Sequence, residues 1–196
     1  LVGTQMIVKG HDFPKVTLVG ALAADMSLYT DDYRSGERTF QLLTQAAGRA
    51  GRGDRPGEVV IQTYDPEHYA IEASAAQDYE AFYEKEIRYR SLMGYPPVEN
   101  LMAVLAVCED EVLLEKACKY LKEYILRIKG QAQLDVIGPA SPGVDKIKDI
   151  YRRVIYVKAP EYRTLVVLKD RMEQYIEINS GFQKMRIQFD FNPMNL

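Results

Sequence analysis

Tryptophan is absent from this 196-residue chain, and cysteine and histidine occur only twice each. Cys108 and Cys118 form no CxxC pair, and His11 and His68 lie far from both. That spacing excludes a zinc-binding cluster in this stretch and a disulfide scaffold, and it fits a reduced, cytoplasmic setting. No apolar run approaches the roughly 18 residues of a membrane span, and no signal peptide opens the sequence, so no membrane partner is expected. A net charge of −3 gives no global attraction to nucleic acid, which leaves only local basic patches to bind it. The 47% of hydrophobic residues is ordinary for one or two packed domains. The chain opens on Leu1 in mid-pattern, which reads as a piece of a longer protein.

Within that composition the order of elements changes once. Lys15–Ala24 (KVTLVGALAA) is a near-continuous apolar run, expected for a strand buried on both faces of a parallel sheet. A helix over SGERTFQLLTQAAGRAGR and a strand at EVVIQTY follow, and strands alternating with helices predict an α/β layer. Ligands of such sheets sit at the carboxyl ends of strands, where the loop after Ala24 falls. Tyr79–Arg90 reads as an amphipathic connecting helix that must stop before Pro96–Pro97. From Val98 the order is strand, helix, strand, strand, helix, strand, which predicts a ferredoxin-like split βαβ sandwich. Three regions are expected: 1–75, a connector at 76–97, and 98–196.

The stretch QAAGRAGRG, Gln45 to Gly53, is where chemistry concentrates. Ser35 is placed to cap the preceding helix, Phe40, Leu43 and Ala47 to form its buried stripe. Gln41, Gln45, Arg49 and Arg52 recur at helical steps on the other flank. Gly48 and Gly51 each weaken a helix by about 1 kcal/mol relative to Ala, which suits a place where a backbone or a ligand comes close. Two readings fit these residues alone: a fraying helix end with solvated arginines, or a pair of guanidiniums aimed at a phosphate.

GTQMIVKGHDFPKVTLV followed by QxxGRxGR resembles motifs V and VI of the superfamily 2 helicases, with Thr4, Lys9, Gly10, Asp12, Phe13, Pro14 and Val16 filling the template. The flanks GTQM, KGHDFP, LLTQAAGRAGR and the later YPP resemble the primosomal protein N′ (PriA) helicase family of bacterial replication restart more closely. Tyr79, Phe82, Glu86, Arg90, Gly138–Pro139, Tyr151–Arg152 and Asp190–Pro193 extend the likeness over essentially the whole chain. Two positions depart from the family pattern: Ala23 stands where an Asp is usual, leaving only Asp25 of an acidic pair, and Asn192 replaces a carboxylate.

The resemblance implies part of the second RecA-like lobe of a 3′→5′ DNA helicase, clamping ATP and Mg²⁺ against a first lobe that this sequence lacks. There is no GxxxxGK[ST] loop or acidic Walker B segment here, so this stretch alone should not hydrolyse ATP. Arg49 and Arg52 would be arginine fingers on the γ-phosphate, with Gln45 orienting polar groups beside them. Gly10, Asp12 and Gly48 would face the nucleotide. Thr4 and Gln5, at a helix N-terminus, would meet a DNA phosphate, and Lys9 fits either that role or plain solvation. The family's zinc site would lie upstream.

In the C-terminal region, Lys146, Lys148, Tyr151, Arg152 and Arg153 gather around a Gly/Pro loop. Such a stretch can bind a nucleic-acid backbone and stack a base, or it can be a solvated β-edge guarded by lysines. The resemblance implies forked or single-stranded DNA, the single-strand DNA-binding protein and primosome proteins as partners, in a nucleoid-associated bacterial protein. Two rival readings are another superfamily 2 translocase, RecG-like, and a non-catalytic nucleic-acid-binding module.

Overall fold

The computed structural model describes residues 2–3, 15–30, 32–51 and 56–194. Thr4, Gln5, Lys9, Gly10, Asp12 and Arg52 therefore lie outside the described residues. The chain divides into two compact units, Leu1–Tyr89 and Arg90–Leu196, within a single helix.

The first unit is built on a parallel pair, β1 (Leu18–Ala21) and β2 (Glu58–Ile61), with Leu18 opposite Glu58 and Ala21 opposite Ile61. Helix α1 (Ser35–Ala47) connects them. Its buried face is Thr39, Phe40, Leu43, Ala46 and Ala47, the stripe that helical spacing predicts. Ser35 is the first helical residue rather than the cap; no side chain caps α1, and Asp32 instead accepts from the Arg34 N–H at 2.9 Å. Helix α2 (Tyr69–Ala76) is capped by His68, whose Nδ1 accepts from the Ala70 N–H at 3.2 Å. Phe40 stacks on Phe82 of α3 (Tyr79–Met93) at 4.3 Å between centroids, closing a small cluster with Ala70 and Ala73.

The apolar run at Lys15–Ala24 yields only four strand residues, and they alternate between half-buried and exposed instead of being buried on both faces. The reason is that β2 is the one partner of β1 among the described residues, so Leu18 stays 60% exposed.

The second unit begins in the last turn of α3. Gly94, at φ 60, ends that helix with paired bonds from the Gly94 N–H to Ser91 O and from the Tyr95 N–H to Arg90 O. This double bond pattern is a Schellman motif, which requires a residue at ease in the left-handed region. Then come β3 (Asn100–Cys108), α4 (Glu111–Ile128), β4 (Asp135–Ala140), a two-residue β5 (Lys146–Ile147), β6 (Ile150–Ala159), α5 (Tyr162–Ile178) and β7 (Arg186–Phe191). The sheet order β4-β6-β3-β7, antiparallel throughout, is the split βαβ arrangement that the element order predicts. Among the strands, β5 has no counterpart in the element order expected from the sequence.

Asp110 starts α4 by accepting from the Leu113 N–H at 2.9 Å, a cap worth about 1 kcal/mol. Leu114, Ala117, Cys118, Leu121 and Ile125 then face Leu165, Leu168 and Met172 of α5, over Met102, Val104 and Ala106 of β3 and Ile155, Val157 and Ala159 of β6. Because strand residues alternate, the partners between them, including Leu105 and Val107 of β3, point to the opposite face of the sheet.

Candidate functional site

The end of α1 governs where its glutamine and arginine lie. Gln41 donates to Glu37 one turn earlier at 3.1 Å, and Gln45 is exposed in the last turn. The helix stops at Ala47, and Gly48–Gly51 is a turn, with the Arg49 N–H on Ala46 O at 3.0 Å. Arg49 thus sits beyond the helix rather than on a flank shared with Gln41 and Gln45, which corrects the expectation drawn from helical spacing. Its side chain is half-buried. The two glycines have different reasons. A Cβ on Gly48 would make only ordinary contact with its own helix, at 3.5 Å from Thr44 O. Gly51, at φ 71, presses its backbone on Gly57, and a Cβ there would stand 2.6 Å from Gly57 N. The close approach is backbone to backbone.

The Gly51 N–H bonds Val16 O at 3.0 Å, which fixes the turn at the amino end of β1. The loop after Ala24 lies at the opposite, carboxyl end. There Ala23 takes a left-handed conformation at φ 50 and Asp25 turns inward, 5% exposed. The Asp25 carboxylate accepts from the Tyr64 N–H at 3.0 Å. A hydrogen bond from Thr63 chiefly, and then that amide, hold its pKa below the ordinary 3.8. Asp25 is thereby committed to joining two loops.

In the second unit the predicted basic cluster separates. β5 and β6 form a hairpin with Ile147 opposite Ile150. Its two turn residues, Lys148 at φ 49 and Asp149 at φ 62, are both left-handed, as a type I′ turn requires. Lys148 is exposed at the tip, with no ion pair among the described residues. Lys146 donates to Asp149 at 2.9 Å and lies 4.7 Å over the ring of Tyr151. Those two contacts, Asp149 first, raise the lysine pKa. Arg152 donates one N–H to Val144 O at 2.9 Å. Four residues of the prediction therefore lie in one hairpin, with Lys146 and the core-packed Tyr151 on the helix side of the sheet and Arg152 on the opposite side.

Arg153 does not join them. Strand alternation turns it to the helix side, where it is 8% exposed, donates to Glu111 at 2.9 Å and forms a short bond with Glu115. Its guanidinium is held by two carboxylates of α4, with the Glu115 hydrogen bond the main cause of its raised pKa, so it offers no open fork to a phosphate. Lys158, farther along β6, is also withdrawn. It donates to Met93 O at 2.6 Å, stands 3.9 Å over the Tyr95 ring, and has its pKa lowered by burial. These contacts give Tyr95 of the YPP segment a packing role. Asn192, at φ 48, exchanges backbone and side-chain hydrogen bonds with Leu101, closing the end of β7 on β3.

Both cysteines are buried, and desolvation, helped by Glu115, pushes the Cys118 thiol up to about 12. No group of three or more His, Cys, Asp or Glu able to hold a metal occurs among the described residues. No helix among them is long and apolar enough to cross a membrane.

A family model for the primosomal protein N C-terminal domain matches residues 91–194, just over half of the chain. The replication restart protein PriA of Bacillus subtilis is 40% identical over 98% of this chain and 24% of its own length. Proteins of the same name from Synechocystis, 38% identical over 100% of this chain and 23% of theirs, and from Haemophilus influenzae, 34% identical over 100% and 26%, are similar along the same stretch. The chain belongs to the primosomal protein N family, as its C-terminal part. It spans about a quarter of the length of these curated relatives.

Proposed function

We propose that this chain is the C-terminal part of an ATP-driven 3′→5′ DNA helicase that recognises stalled or branched forks and restarts replication by assembling a primosome. The names of the relatives, replication restart protein PriA, favour that role over a RecG-like translocase or a non-catalytic module. The first unit is read as part of the second RecA-like lobe, and a parallel strand–helix–strand unit is consistent with it.

One observation carries the motor reading: Arg49 stands in a turn pinned by Gly51 to the amino end of β1, just past the exposed Gln45. Ligands that a sheet binds for itself gather at its carboxyl end. A finger that serves a nucleotide held by a neighbouring lobe has no such constraint and needs only a rigid mount. Arg49 and Arg52 act as those fingers, Gln45 orients polar groups beside them, and Gly48 with Gly10 and Asp12 lines the nucleotide. ATP and Mg²⁺ are held mainly by the first lobe, and zinc belongs upstream. Thr4, Gln5 and Lys9 contact DNA in this reading. So does the hairpin through Lys146, Lys148, Tyr151 and Arg152, while Arg153 ties β6 to α4. Single-strand DNA-binding protein and primosome proteins are the partners, and the setting is the bacterial cytoplasm.

Replacing Arg49 or Arg52 with Ala in the full-length protein is expected to lower DNA-stimulated ATP hydrolysis by about 10³-fold or more while nucleotide binding persists. Steady-state hydrolysis at saturating forked DNA measures it. Unchanged turnover in both variants would remove the finger assignment.

A further inference from the structure

Helices α4 and α5 pack on one face of the second unit's sheet; the other face meets the end of α3 at Lys158 and carries a row of residues at the opposite, hairpin end. Val107 of β3 pairs with Arg152 of β6 on one side and with Arg186 of β7 on the other. All three point away from the helices, because Ala106, Cys108 and Ile187 beside them belong to the core or pack on it, and Arg153 reaches α4. Val107 is half-buried and Arg186 is exposed, with no ion pair among the described residues. Arg152 spends one donor on Val144 O and keeps the rest of its five. Neighbouring side chains across a sheet are about 5 Å apart at Cβ, so the Cβ atoms of Arg152 and Arg186 flank that of Val107 at about 10 Å from one another. The acids of this face, Asp135 and Asp190, sit farther along, opposite Lys158 and Ala103. With Lys158 buried at that far end, the accessible cations of the face, Arg152 and Arg186, lie at the end where Lys148 stands.

We propose that the Arg152–Val107–Arg186 row is the floor of a nucleic-acid contact whose wall is the β5–β6 hairpin. Its occupant is the phosphodiester backbone of a DNA strand, with Arg186 as a phosphate-binding residue. This inference rests on the DNA role of the hairpin and extends it to a strand distant in sequence. Charge complementarity selects the ligand: two arginine forks on either side of an apolar residue suit consecutive backbone charges better than a single anion.

The test measures binding of the full-length protein to forked DNA with single-stranded arms across a salt series. Each lost phosphate contact reduces the slope of log affinity against log salt by about 0.9 for duplex and about 0.7 for single strands. Arg186→Ala is expected to lower the slope by about one contact and Arg186→Lys to preserve it. Lys148→Asn, which removes charge while keeping a residue suited to the left-handed turn, is expected to lower it as well. A normal slope for Arg186→Ala beside a reduced one for Lys148→Asn would overturn the floor, leave the hairpin reading intact, and give the face to an acidic protein segment instead. Normal slopes for both would overturn the hairpin reading too.

Discussion

The two units differ in how they use apolar residues. The second assembles a single cluster of 17 buried residues, from Met102 to Phe182, between one face of its sheet and two helices. Among its described residues the first has two small clusters, of four and three buried residues, while Leu22, Met26, Tyr29 and Tyr64 are more than 70% exposed. A self-sufficient core fixes side chains by packing alone. Between small clusters, working parts are fixed by backbone geometry, and the turn after α1 shows how: a glycine contact and one amide bond hold Arg49's position. The lesson is that the two units should fail in different ways.

The largest expected difference is in the cores. Leu121→Ala, at a site 1% exposed among close neighbours, should cost about 3 kcal/mol, whereas Leu43→Ala in its three-residue cluster should cost no more than about 2 kcal/mol. Chemical denaturation of the two variants compares them, and equal losses would erase the contrast. Gly51→Ala comes next. A Cβ pressed on the Gly57 backbone, at positive φ, should destabilise the first unit by about 2 kcal/mol, and Gly48→Ala should be nearly neutral. If both glycines tolerate Ala equally, the arginine turn is not mounted as described.

The smallest effect is confined to acid. The folded-state pKa of Asp25 lies below its ordinary 3.8, so its contribution is fully present above that value and is lost as pH falls through the folded pKa. Asp25→Asn should lower stability at neutral pH and flatten the acid limb of the stability profile below about pH 4. A profile parallel to that of the parent protein would show that the carboxylate is not linked to folding.

Much of the second unit was legible in the sequence because its elements obey simple periods. Leu114, Ala117, Leu121 and Ile125 keep helical spacing, and the order of strands and helices leaves few topologies open. The first unit was legible as α/β but not in detail: apolar composition suggested a strand buried on both sides, and burial depends on what flanks it. Helical spacing carried Arg49 onto α1 because a pattern cannot see a helix stop one turn early at a glycine. In β6 the sequence YRRVIYVKA is apolar at odd and even positions alike, so alternation could not say which arginine faces α4. Only the glutamates of α4, brought opposite by the fold, separate Arg153 from Arg152. The Lys158–Tyr95 contact was invisible for the same reason, being long in sequence and short in space.

The hairpin tip carries a consequence for protein engineering. A mirror-image two-residue turn is best served by Asn-Gly, yet Lys148 and Asp149 occupy it against the preference of their own backbones. Grafting Asn-Gly there should give a stiffer ribbon that holds its shape longer on heating. It would also be mute: the comfort of the turn and the cation at its apex exclude each other at that position, and this sequence has kept the cation.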